Sequence, residues 1–182
     1  MDFDYFNFKS NNKVTKGSLI LSQPLMKDLN FERSIILICE HSSDGSFGYK
    51  LNDKLSPDSI MSDLNQIIKE NLYLGGPVEN SYLNFIHSSD KIKDSDKITN
   101  DIYLGGDLDS VLEDVKNNVS DLKLKFFSGY SGWSAGQLDK EIEENSWIVI
   151  NEYISNFIFD EIDEKFWISF LSDGFRPKKL CG

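Results

Sequence analysis

Ser34-Ile35-Ile36-Leu37-Ile38-Cys39-Glu40-His41 is a run of branched apolar side chains with no turn former inside it. Both faces of its pleat would be apolar, so it predicts a strand buried on both sides. After Ser42 and Ser43, Asp44-Gly45 supplies the positive φ of a tight turn, and Phe47–Leu51 returns as the hairpin partner.

Working outward toward the N-terminus, residues 17–22 read as a short strand stopped by Gln23-Pro24, since proline removes a ladder donor and restricts its predecessor. Toward the C-terminus, Ser56-Pro57-Asp58 is a helix start, with Ile60, Leu64, Ile67 and Ile68 on one face. Short strands follow at 72–74, 83–87, 101–104, 122–127 and 147–150, with 91–100 as a polar connection. Asp107 is placed to cap a helix lined by Leu108, Val111, Leu112 and Val115; further helices are expected over 137–145 and 161–171.

Strands and helices alternate without a regular βαβ rhythm. The expected fold is therefore α+β: a single domain with a mixed, mainly antiparallel, strongly curved, barrel-like sheet flanked by helices. Its span is residues 17–171, with an N-terminal arm at 1–16 and a tail at 172–182. At 182 residues, 40% of them hydrophobic and 13% aromatic, the chain can enclose one sizeable core without metal or disulfide support.

The formal net charge is -11, from 30 acidic and 19 basic side chains, and a field of that sign repels phosphate backbones and anionic lipid. Lys123 and Lys125 on one strand face, with Lys178 and Lys179, are too few and scattered to oppose it. Direct nucleic-acid binding is therefore not expected. The first residues lack a basic start and apolar core for export, and no apolar run approaches the roughly 20 residues of a membrane span. With only Cys39 and Cys181, no disulfide framework is expected either, and the cytoplasm is the natural compartment.

Gly132-Trp133-Ser134-Ala135-Gly136 satisfies the G-x-S-x-G pattern of a hydrolase elbow. Its serine needs a histidine base that follows it in the chain of such enzymes, whereas both histidines, His41 and His87, precede it. Ser134-x-x-Gln137 also reads as a capping box, with a cost of about 1 kcal/mol for Ser134→Ala. A non-enzymatic protein is the expectation.

The glycine-rich loop over 129–136, with Tyr130 and Trp133, places flexible backbone and two aromatic faces before a helix start. A partner protein or a small anion is the occupant it suggests, although no phosphate motif is present. Cys39 and His41 share one face of a strand while Glu40 takes the other. That trio invites a redox reading of Cys39, but no zinc spacing accompanies it, so neither metal nor cofactor is expected.

Several of these segments together resemble the YqgE/AlgH family: Gly17–Pro24, Asn30–His41, Gly45–Gly48, Gly75–Val78, Phe127–Leu138 and Asn145–Trp147. The resemblance implies a compact α+β fold in a small bacterial cytoplasmic protein, with the label of transcriptional regulator on some members and no established catalytic residues. Asn30, Arg33, Cys39, Glu40, His41, Gly76, Gly129, Gly132, Trp133, Gly136 and Gln137 match its motif positions. With Tyr130 and Ser134 they form the candidate binding set. The expected role is regulatory, through contact with a partner, in a monomer or weak oligomer. Binding of a small molecule, anion or nucleotide at the glycine-rich loop, and a redox response through Cys39, are the alternatives.

Overall fold

A computed structural model of the chain describes residues 12–59, 63–118, 121–153 and 155–172. Its elements in order are β1 (Leu19–Ser22), β2 (Ile35–Ser42), β3 (Gly45–Lys50), α1 (Gln66–Glu70), β4 (Leu72–Leu74), β5 (Val78–His87), β6 (Asp96–Lys97), β7 (Tyr103–Leu104), α2 (Leu108–Lys116), β8 (Leu124–Ser134), α3 (Gln137–Glu143), β9 (Trp147–Ile150) and α4 (Glu164–Ser172). Short 3-10 turns occupy Pro57–Ser59 and Ser155–Phe159.

The nine strands form one sheet in the order β6-β7-β5-β8-β3-β2-β1-β9, and β4 adds to β8 as its one parallel pair. The architecture is thus mixed, mainly antiparallel α+β, as the patterning requires. The path ends at β6 and β9 without closing, so the likeness to a barrel does not hold.

Strand alternation sorts the core into two faces. Leu19, Leu21, Ile35, Leu37, Ile148 and Ile150 point to one face, where they meet Phe157, Trp167 and Leu171 from the C-terminal helical segments. Ile20, Ile36, Ile38, Trp147 and Val149 point to the other, against Leu138 of α3. Farther along that sheet, Leu72, Phe85, Leu124 and Phe126 pack on Ile68 of α1 and Val111 of α2.

Several local expectations change in the folded chain. The helix expected from Ser56 is only a 3-10 turn there, and α1 starts later, at Gln66, capped by Asn65, whose side-chain oxygen accepts the Ile67 N–H. Ile60 lies outside the described residues, as do residues 1–11 of the arm and 173–182 of the tail, with Lys178, Lys179 and Cys181. Val14, in the described end of the arm, is buried against the second cluster. The connection over 91–100 contains β6 and buries Ile92 and Ile98, because two apolar side chains suffice to pin a polar segment to the sheet.

The largest correction concerns the glycine-rich stretch over 129–136. It is not a loop: β8 runs through it to Ser134 and pairs with β3 in the register Gly45↔Ser134, Ser46↔Trp133, Phe47↔Gly132 and Gly48↔Ser131. Phe127 and Tyr130 both face the first cluster although three residues apart, which strict alternation forbids. The parity resets at Gly129, at φ 69°, opposite a register shift in β5 between Val78 and Leu83. Glycine allows this bend because a Cβ there would stand 2.7 Å from the Gly76 carbonyl oxygen and 2.8 Å from that of Val78.

Candidate functional site

Phe47, Tyr130 and Leu104 belong to the first cluster but are only partly buried. They open onto a groove of about 790 Å³ at the end of the sheet where β3, β5 and β8 meet. Val78, Tyr82 and Asn84 of β5 form one wall, and Glu40, Asp44 and Glu79 bring carboxylates to it. Phe47 lies edge-on to Tyr130 with ring centroids 6.2 Å apart. Tyr82 is 65% exposed, an aromatic face held in solvent at the rim.

The wall is shaped by the irregular part of β5. Glu79 adopts φ 49°, and Ser128 Oγ donates to the Asn80 carbonyl at 2.6 Å, which holds Glu79–Tyr82 away from regular pairing. The groove therefore depends on backbone irregularity at two adjacent strands, at Gly129 and Glu79.

The structure brings Glu40, Tyr130, Gly132 and Trp133 of the candidate set to this groove. Gly76 and Gly129 lie beneath it as spacers, each passing too close to neighbouring backbone for a side chain. Asn30 and Arg33 do not join them. Their carbonyls accept Lys50 Nζ at 3.1 Å and Asn52 Nδ2 at 2.8 Å, so both residues shape the approach to β2.

Cys39 and His41 lie on opposite faces, contrary to the expectation of a shared one. Register shifts between Ile38 and Glu40, and the bulge sends Cys39 into the first cluster while His41 turns toward α3. Cys39 is 1% exposed and burial pushes its thiol well above the usual range, which opposes a redox role. Iodoacetamide should therefore label Cys39 only as fast as the protein opens. Labelling of the folded state at the rate of a free thiol would show that the site is reachable.

His41 finds a hydroxyl that G-x-S-x-G reasoning overlooked: its Nδ1 is 2.7 Å from Ser46 Oγ, and its Nε2 is 3.6 Å from Asp139 Oδ1 of α3. Serine, histidine and carboxylate in series have the composition of a hydrolase triad. Ser46, however, is 8% exposed and is held one pair from the β2–β3 turn, paired with His41 on one side and Trp133 on the other at the edge of the groove. The charges around it, Asp139 and Asp44, have the wrong sign to hold an oxyanion. His87, the other histidine, is buried between the Gly105 carbonyl oxygen at 2.9 Å and the Ser89 N–H at 3.3 Å, and burial lowers its pKa.

Ser134 is not the helix cap. Gly136, at φ 69°, occupies that position, and the Gln137 side-chain oxygen accepts from both the Ser134 N–H at 3.0 Å and the Ser134 hydroxyl at 3.2 Å. The box is one-sided because β8 carries Ser134 past the point from which it could reach the helix start. Ser134→Ala should accordingly cost only about 0.5 kcal/mol, the low end of exposed hydrogen bonds. A loss above about 1.5 kcal/mol in urea unfolding would restore the cap.

Gln137 also donates to Glu141 Oε1 at 2.9 Å, and Glu141 Oε2 accepts both the Trp133 indole N–H at 3.0 Å and the Trp147 indole N–H at 2.8 Å. Phe31 stacks on Trp133 and meets Trp147 edge-on. Gln137 and the indole of Trp133 are thus tied into the second cluster, so Trp133 borders the groove with its side chain held by Glu141 and Phe31. Sequence reasoning missed Glu141, although its i+4 spacing from Gln137 was visible.

Lys125 is likewise no surface cation. It is 1% exposed, with Nζ 2.8 Å from the Asp160 carbonyl oxygen and 4.2 Å from the centre of the Tyr73 ring. Burial lowers its pKa from 10.5 to about 7. In that interval the unfolded chain holds a proton that the native state has released, so stability should rise with pH. From pH 7 to 8.5 the gain should be about 1.5 kcal/mol, and Lys125→Met should abolish it. An equal rise in both proteins, followed by chemical denaturation, would remove Lys125 as its source.

Among the described residues no group of three or more His, Cys, Asp and Glu side chains is placed to hold a metal, and no helix is long and apolar enough to cross a membrane.

Comparison with known proteins follows the same lines. A family profile described as AlgH-like matches residues 19–173. A UPF0301 protein of Cytophaga hutchinsonii is 37% identical over 159 residues, covering 85% of this chain and 86% of the relative. A UPF0301 protein of Bacteroides thetaiotaomicron is 34% identical over 156 residues, covering 84% and 80%. Among solved structures, a protein from Corynebacterium diphtheriae superposes with TM-score 0.70 at 24% identity, over 96% of this chain and 93% of that one. The AlgH protein from Pseudomonas aeruginosa gives 0.66 at 22% identity, over 93% and 94%. These two likenesses concern the fold alone.

Proposed function

The chain belongs to the AlgH-like family, and from that premise we propose that it is a non-enzymatic interaction protein whose binding surface is the groove between β3, β5 and β8. The observation that carries this reading is the groove itself. Aromatic faces and carboxylates open to solvent there, while Ser46, the hydroxyl paired with His41, reaches the lining only as an 8% exposed side chain laddered on both sides. Large exposed aromatics at the rim of a concave patch are the anchors of protein interfaces.

A regulatory role would run through a protein contact. The net charge of -11 opposes direct contact with DNA, and the burial of Lys125 removes one of the few cations that favoured it. Anion binding at the start of α3 fits less well, because Asp139 and Glu141 occupy that end and Gln137 is folded over the Ser134 N–H.

The test is affinity capture from cells of the source organism, comparing the native chain with Tyr82→Ala. Tyr82 is exposed and supports no core contact, so the variant should fold normally and lose the partner. Recovery of every partner at undiminished yield would show that the groove is not the surface used.

A further inference from the structure

We infer that the groove receives an extended, positively charged segment of a partner protein, seating a lysine or arginine against Phe47, Tyr82 and Tyr130 and pairing it with Asp44 and Glu79. The inference rests on the reading of the groove as an interaction surface and names the chemistry of what fills it.

Charge complementarity is the first support. Among the described residues the groove has three carboxylates in its lining, Glu40, Asp44 and Glu79, and no lysine, arginine or histidine. Ring faces beside carboxylates attract a cation through the ring quadrupole and the full charge together, and the effect grows as water is excluded. Glu40 already takes such a charge from within the chain, with Lys16 Nζ 3.8 Å from its Oε2. A phosphate-bearing partner would meet charge of its own sign here.

Backbone geometry supports an extended occupant. Pairing of β8 with β5 ends at Tyr130, and past Ser131, which Gly75 and Gly76 flank, Gly132–Ser134 are laddered to β3 on one side only. Gly132 lies in this stretch; the Tyr130 ring covers the face its Cβ would take, 3.0 Å away, so a second chain would meet its backbone at the strand edge with that ring beside it. Strand addition at such an edge provides main-chain hydrogen bonds, and the pocket for an alternate side chain provides selectivity. The chain's own residues 1–11 suit the site less well than a basic segment, since Asp2 and Asp4 share its sign and outnumber Lys9.

The inference is tested by titrating the full chain, observed by backbone NMR, with an octapeptide of alternating lysine and valine, its glutamate–valine counterpart, and tetramethylammonium. The lysine peptide should shift the amides of Gly45, Phe47 and Gly132, with an affinity that weakens as salt is raised. The exposed pair Asp44→Asn and Glu79→Gln should weaken it about tenfold while leaving the rest of the spectrum unchanged. Unaltered affinity in that double variant, or no binding of the lysine peptide, would overturn the inference.

Binding of tetramethylammonium alone would overturn it in favour of a small cation. If the lysine peptide binds only after residues 173–182 are removed, the occupant is the chain's own tail, which carries Arg176, Lys178 and Lys179. If the glutamate peptide shifts the same amides equally, the basic chemistry fails and the interaction groove survives. The groove reading falls separately, when Tyr82→Ala leaves captured partners unchanged.

Discussion

Gly76→Ala should destabilise the protein by about 3 kcal/mol, among the larger effects available to a single added methyl group. The backbone at Gly76 has φ 157°, and a Cβ there would lie 2.3 Å from the carbonyl carbon and oxygen of Tyr130 and 2.4 Å from the Ser131 nitrogen. Those are backbone atoms of β8, so relief requires moving a strand that pairs with β3, β4 and β5. Gly105→Ala is the control. Its φ is 66°, but nothing lies within 4 Å, so only the conformational cost of about 1 kcal/mol applies. Urea unfolding of both variants separates contact from conformation. Equal losses at the two glycines would show that β8 yields easily at the groove floor.

Trp133→Ala should cost about 3–5 kcal/mol, the range for deleting a buried tryptophan. Its ring is 6% exposed, stacks with Phe31 and meets Trp147 edge-on, and its N–H donates to Glu141. The substitution opens a cavity between β8 and α3 and leaves Glu141 Oε2 with only the Trp147 indole N–H, while Oε1 keeps the Gln137 amide. Trp133→Phe should recover much of the loss, because it keeps one aromatic ring and gives up the second ring of the indole with its N–H bond. A Trp133→Ala protein within about 1 kcal/mol of the native chain would show that this tryptophan is a surface anchor after all. The distinction matters for function: loss of a partner in Trp133→Ala would report unfolding as readily as a broken contact, so Tyr82 and Glu79 are the residues to alter.

The elements legible in the sequence are those that a local pattern specifies. Ser34–His41 reads as a strand because five of its residues are apolar and branched or thiol-bearing, and neither face of its first half offers water a polar set. The α2 helix, with Val111 buried, follows from its 3.6-residue spacing, and β9 from an apolar run too short for a helix. Glycine misled where it is most concentrated. Gly129, Gly132 and Gly136 read as a loop by composition, yet only Gly129 and Gly136 adopt positive φ, and the strand passes through the first of them.

Composition, apolar spacing and family motifs together determined an acidic α+β chain built on a mainly antiparallel sheet, and they marked Glu40, Tyr130, Gly132 and Trp133 as residues of interest. Only the tertiary structure decided what each does. A bulge of one residue puts Cys39 and His41 on opposite faces, and a bend at Gly129 returns Tyr130 to the face of Phe127. Burial turns Lys125 from a surface charge into a core one. The physical reason is that strand parity, close backbone approach and desolvation depend on partners far away in the chain. Asp44 and Glu79 share a groove only because β3 and β5 both flank β8.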